Sequence, residues 1–167
     1  MPDATTSDLP TPARVLAVGA HPDDIEFGCG ATLAKWAARG AHVELCVLTD
    51  GSKGSWNPHS DLAALVATRR TEQHAAAAQL GAAAVHFLDR VDGELTIDRD
   101  TTERLCAVIR GARPGVLLGH DPWKQYRLHP DHHAGGRLLI DALVAARDPH
   151  YFPGAGAPHR PEHLLLL

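Results

Sequence analysis

The stretch RVLAVGAHPDDIEFGCG, residues 14–30, sets a short apolar run directly against a histidine and two adjacent carboxylates. The run Val15–Gly19 is brief and uniformly apolar, which reads as a strand buried on both faces, the kind found in parallel sheets. Two neighbouring like charges at its end cost free energy unless a positive group sits between them. A buried strand and a cation at its carboxyl end are therefore expected together.

Three more runs share that character: Val43–Leu48, Ala84–Leu88 and Val116–Gly119. Between them lie alanine-rich segments with helical spacing, roughly 28–39, 61–80, 98–110 and 131–147. Their punctuation agrees. Gly40, Gly81 and Gly111 stand where C-terminal caps belong, Asp98 ahead of Thr101-Thr102 marks a helix start, and Asp92-Gly93 marks a turn. This βαβαβαβα alternation predicts an α/β fold, a Rossmann-like, doubly wound, mostly parallel sheet with helices on both faces. Residues 1–12 read as a loose lead-in and 13–167 as one domain. The closing His163-Leu-Leu-Leu-Leu167 reads as a fifth strand of a shortened C-terminus, or else as a frayed apolar tail; as an unfinished sheet edge it would suit a second copy in a homo-oligomer.

Composition narrows the function. A net charge of −4 over 167 residues, with three scattered lysines, offers no nucleic-acid surface. No apolar run approaches membrane-spanning length, and the first residues do not read as a signal peptide. Three widely spaced cysteines argue against a disulfide framework and suit the cytoplasm. Histidine is the anomaly: there are 12 in the chain, and His120, His129, His132 and His133 crowd one short segment.

In an open parallel sheet, ligands bind beyond the carboxyl ends of the strands, where the strand order reverses. The first strand runs into His21-Pro-Asp23-Asp24 and the second into Thr49-Asp50-Gly51-Ser52-Lys53. The third runs into Asp89-Arg90 and the fourth into His120-Asp121, followed by His129-Pro-Asp131-His132-His133 at a helix start. All the polar chemistry thus gathers at one end. A doubly wound order sets the first and fourth strands side by side. His21 and Asp24 would then face the 129–133 segment, and two histidines with one carboxylate make a three-ligand metal site with open positions. That set suits catalytic zinc and equally iron(II). Each motif alone could instead be a helix start, with acids on the dipole or a proline in the first turn. Gly28-Cys-Gly30 lacks the third glycine of a dinucleotide loop.

The motifs AHPDD (Ala20–Asp24), TDG (Thr49–Gly51), an Arg-x-x-Glu helix ending in Leu-Gly (Arg69, Glu72, Leu80, Gly81) and HPDH (His129–His132) together resemble the LmbE-like (PIG-L) N-acetylglucosamine deacetylases over about residues 14–150. The resemblance implies zinc-dependent removal of an acyl group, usually acetyl, from an amino-sugar nitrogen, including steps of mycothiol and bacillithiol synthesis. It implies His21, Asp24 and His132 as metal ligands, Asp23 as general base, His129 as the group steadying the tetrahedral intermediate, and Arg69 as a substrate contact, whose plain alternative is a pair with Glu72. Two departures stand out. Arg127, beside Tyr126, occupies the place where mycothiol-type members carry an acyl-polarising tyrosine, and family members continue well past residue 167.

Amide hydrolysis needs an activated water and a stabilised oxyanion. Asp23 would take the water's proton and return it to the leaving amine, and His129 would donate to the oxyanion. Arg127 could serve as an oxyanion partner. Asp131 is a candidate to orient a histidine or to cap its helix. The loop 51–58 with Trp56, together with Asp50, suits sugar recognition or a lid, with Trp123 on the opposite wall. The alternatives are a non-catalytic sugar- or metal-binding module on the same scaffold, and a metal-dependent phosphoesterase, which would want ligands for a second metal.

Overall fold

Five strands form one sheet in a computed structural model that describes residues 9–167. They are β1 (Arg14–Gly19), β2 (His42–Thr49), β3 (Ala84–Arg90), β4 (Val116–Gly119) and β5 (His163–Leu166). The order is β3-β2-β1-β4-β5 and every pairing is parallel. The crossovers are α1 (Asp24–Ala38), α2 (Leu62–Leu80), α3 (Arg99–Ala112) and α4 (Pro130–Arg147). The expected lead-in lies largely outside the described residues, and residues 9–12 carry no regular structure.

The period-two alternation of the strands divides their side chains between two cores. Val15, Ala17, Val43 and Leu45 face Ile25, Leu33 and Trp36 of α1 and Ala77 of α2. Leu16, Val18, Cys46 and Leu48 face Leu105 and Ile109 of α3 and Leu138 and Leu139 of α4. Each fully buried leucine here contributes on the order of 2 kcal/mol by leaving water. Helices cover both faces because both faces of β1, β2 and β4 are apolar, as the doubly wound expectation required.

The strand order reverses between β1 and β4, whose residues Val15 and Val116 lie in register. The crevice beyond their carboxyl ends is where ligands bind in such sheets. Close backbone approach shapes that crevice: a Cβ at Gly136 of α4 would lie 2.5 Å from the His120 carbonyl oxygen. Glycine there lets α4 press against the loop that follows β4.

Two expectations need correction. α1 begins at Asp24, four residues before Gly28, because Asp23 at φ 95 closes the short turn of residues 20–23 that joins β1 to the helix. Gly111 lies inside α3; the cap is Arg113, left-handed at φ 49, since the helix runs on to bury Ala112. The closing leucines do form the expected fifth strand: His163–Leu166 pair with Val116–Gly119.

Candidate metal centre

His21 lies in the turn after β1, Asp24 opens α1, and His129, Asp131 and His132 open α4. The Asp24 carboxylate gathers the cluster. Its Oδ2 lies 3.3 Å from His21 Nδ1 and 3.1 Å from His120 Nε2, and its Oδ1 lies 3.1 Å from His132 Nε2. The same Oδ2 accepts the His21 N–H at 2.8 Å, folding the side chain back over the turn. Burial pushes the Asp24 carboxyl up, but the three imidazoles outweigh it and hold it far below the ordinary carboxylate range.

The His21 ring has two different edges. Nε2 lies 3.0 Å from Asp131 Oδ2 and 3.1 Å from Asp92 Oδ1, both acceptors, so it carries the proton. In the neutral ring, Nδ1 then keeps its lone pair on the side of Asp24. Asp131 is itself anchored by the N–H groups of Gly93 at 2.7 Å and Leu95 at 3.2 Å. Burial alone would lower the His21 pKa; Asp24, Asp92 and Asp131 reverse that and raise it to about 9. Three carboxylates around one imidazole make a strongly cation-seeking centre.

Pairs of these donors are spaced as the ligands of a divalent ion are. Bonds of about 2.0–2.1 Å at tetrahedral angles separate neighbouring ligand atoms by roughly 3.3 Å, close to the Asp24–His21 and Asp24–His132 separations given above, which run to Oδ2 and Oδ1 of Asp24 respectively. Three overlapping trios have donor atoms mutually within 4.8 Å: His21/His129/His132, Asp24/His120/His132 and His21/Asp92/Asp131; the expected His21, Asp24 and His132 are spread over these trios and do not form one of their own. The ring centroids of His21 and His132 are 5.3 Å apart.

The remaining expected residues fall into two groups. His129, Asp23, Arg69 and His21 line one open depression of about 250 Å³. His129 Nδ1 accepts the Asp131 N–H at 3.2 Å, which leaves Nε2 to carry the proton in the neutral ring. Arg69 pairs with Asp23 and not with Glu72: its Nη2 donates to Pro22 O at 2.6 Å and Asp23 Oδ2 at 2.9 Å. A second depression of about 520 Å³, lined by Phe27, Tyr126, Arg127 and His132 among others, meets the first at His129. Asp50 and Trp56 line neither. The Asp50 carboxylate accepts the N–H groups of Ser52 at 2.9 Å and Asp92 at 3.1 Å, and Trp56 is fully exposed.

His120 and Asp92 were given no role from the sequence. His120 is buried and stacks on His132 with centroids 4.3 Å apart. Arg127 Nη1 donates to its Nδ1 at 2.6 Å. The Ala20 N–H and Asp24 Oδ2, each 3.1 Å from Nε2, cannot both be satisfied by one tautomer. A guanidinium only donates, so Arg127 selects the ring with the proton on Nε2, directed at Asp24. Burial keeps this ring's pKa below the usual histidine value. The signal for His120 was its place one strand over from His21, at the end of β4.

Comparison with known proteins adds the following. The family model described as PIG-L, GlcNAc-PI de-N-acetylase, matches residues 16–143. The diacetylchitobiose deacetylase of Thermococcus kodakarensis is 35% identical over 167 aligned residues, covering 91% of this chain and 62% of its own. The structure of N,N'-diacetylchitobiose deacetylase from Pyrococcus horikoshii, complexed with its inhibitor MPG, superposes with a TM-score of 0.89 at 28% identity, covering 93% of this chain and 60% of that one. The structure of GalB, the 4-carboxy-2-hydroxymuconate hydratase of Pseudomonas putida KT2440, gives 0.76 at 31% identity, covering 87% and 63%. The chain thus spans less than two thirds of the length of these relatives.

Proposed function

From the premise that the chain belongs to the PIG-L family of GlcNAc-PI de-N-acetylases, we propose that it is a metal-dependent amidohydrolase that removes an acetyl group from an N-acetylglucosamine-type sugar. His21 through Nδ1, Asp24 and His132 would hold the ion, zinc in the first instance and iron(II) in the second. When bound, the ion supplies positive charge that acidifies water and polarises the acyl carbonyl. Asp23 takes the proton from the attacking water and delivers it to the departing amine nitrogen, which cannot leave as an anion. His129 donates its Nε2–H to the oxyanion while Nδ1 goes on capping α4, so it needs no extra proton. Arg69 steadies Asp23 and borders the sugar. Arg127 acts through His120 on Asp24.

The single observation that carries this reading is that Asp23 and His129 open on the same depression as His21. A base and an oxyanion donor beside a cation-seeking cluster are the parts that amide hydrolysis requires. We further assign residues 13–167 to one domain and the protein to the cytoplasm. Cys29, Cys46 and Cys106 are buried and unpaired, and among the described residues no helix is long and apolar enough to cross a membrane. β5, an edge strand, is the expected contact if copies associate.

The likeness to a hydratase favours a second reading, addition of water across a carbon–carbon double bond. A cation and a carboxylate that moves a proton would serve either reaction. Zinc analysis combined with amine release from N-acetylglucosamine, N,N'-diacetylchitobiose and longer N-acyl glucosamines separates them. We expect about one zinc per chain, a new primary amine from at least one panel member, and loss of most turnover with retained zinc in Asp23→Asn. A fully loaded protein releasing no amine overturns the hydrolase reading in favour of a hydratase or a binding module.

A further inference from the structure

Asp23 is the N-cap of α1, yet its backbone is left-handed, at φ 95 and ψ −24, where N-caps are normally extended. For a residue with a Cβ that conformation is strained, and it persists only where the surroundings enforce it. The enforcing group comes from another helix. The Asp23 N–H donates to Gln73 Oε1 at 3.2 Å, and Gln73 is a buried glutamine of α2. Gln73 Nε2 in turn donates to Glu26 Oε1 at 2.6 Å.

Glu26 is the third residue of α1, the position from which a glutamate ordinarily reaches back to the N-cap N–H itself. Here Gln73 is interposed. A carboxylate only accepts, so Glu26 fixes the amide with its NH2 inward and its carbonyl toward Asp23. Arg69, one helical turn before Gln73 on the same face, holds Pro22 O and Asp23 Oδ2. α2 therefore grips the Asp23 peptide from one side and its carboxylate from the other.

We propose that Glu26 and Gln73 are positioning residues that lock the backbone of Asp23 and so aim its carboxylate; the inference rests on the reading of Asp23 as base. Without the Gln73 carbonyl, Asp23 relaxes toward the extended N-cap conformation and its side chain swings off the reacting water. The side-chain hydrogen bonds of Gln73 and Glu26 go to Asp23 and to each other, not to His21, Asp24 or His132.

The test uses the zinc-loaded protein, N,N'-diacetylchitobiose as substrate, and Gln73→Leu. kcat is expected to fall by about 10- to 100-fold, the penalty of a misplacement of about 1 Å, with KM and zinc affinity unchanged. The same change in an Asp23→Asn background should cost nothing further, whereas a merely structural role would cost as much again. Glu26→Gln, which can turn the Gln73 amide round without emptying the site, should show a smaller loss of the same kind, and serves if Gln73→Leu fails to fold. The Asp23 amide proton, followed by hydrogen exchange, should exchange at least about tenfold faster in Gln73→Leu. Wild-type kcat in Gln73→Leu, or its full loss repeated in the Asp23→Asn background, overturns the positioning role. Wild-type turnover by Asp23→Asn overturns the base reading instead, and the exchange measurement, which needs no turnover, then decides whether Gln73 locks the turn.

Discussion

His21 owes its direction to a residue 110 positions away. The Asp131 carboxylate accepts the Nε2–H, and two backbone N–H groups hold that carboxylate still. A carboxylate placed behind a ligating imidazole fixes its tautomer and raises its basicity. In Asp131→Asn an amide NH2 must face one of three donors, so one contact turns repulsive. Zinc affinity should fall by about 10- to 100-fold, read by competition with a chromogenic chelator, while the fold persists. Arg127 makes a parallel case. Its guanidinium meets His120 Nδ1, and through that ring it acts on Asp24. Arg127→Met frees the ring to flip its tautomer and turn a lone pair on the Asp24 carboxylate. The expected outcome is weaker zinc binding with an unchanged KM; a raised KM at normal zinc affinity would return Arg127 to substrate contact.

Among the elements, α3 and α4 are joined by one buried side chain. Arg110 donates to six carbonyls, those of Ala145, Ala146, Asp148, Tyr151, Phe152 and Gly156. Two of these close α4, where the helix dipole is negative, and four lie in the segment leading to β5. Arg110→Met strands these acceptors away from water and should destabilise the fold by about 3 kcal/mol, measured by urea unfolding. Arg110→Lys, with three donors instead of five, should recover only part of it. Nothing local in the sequence announces this clamp, because its acceptors are backbone groups 35 to 46 residues downstream. The inner strands β1, β2 and β4 were legible because both of their faces are buried, and the edge strands β3 and β5 because their short apolar runs are bounded by polar residues. The polar strand ends were legible too, and they placed His21, Asp24 and the 129–133 segment at one crevice. Asp92 was not, since a carboxylate beside a glycine reads first as a turn, which it also forms. The start of α1 was misplaced because a left-handed aspartate lacks the glycine that normally signals such a turn.

Across the whole molecule, the two ends of the sheet hold their charges by different means. At the carboxyl end the carboxylates outnumber the groups that balance them, and the cluster seeks a cation. At the other end Glu44 is balanced in full: Arg14 Nη2 lies 3.0 Å away, His42 Nε2 2.9 Å and His86 Nε2 2.7 Å. Burial pushes the Glu44 carboxyl up, but His86 and His42 outweigh it and leave it below the ordinary carboxylate value. A carboxyl whose pKa is lower in the folded chain than in the unfolded one stabilises the fold above the unfolded value, about 4.3 for glutamate. That contribution disappears as the pH drops through the folded value, because both states then bind the proton. Wild type should therefore be more stable than Glu44→Gln at pH 6, and the gap between their urea midpoints should close as the pH falls below about 4. Comparing the two proteins at each pH cancels the acid-side losses from Asp24 and its neighbours, which both share. A gap that held constant down to the acid limit would mean that Glu44 contributes packing and hydrogen bonds alone, and that the closed charge balance at this end of the sheet adds nothing to stability.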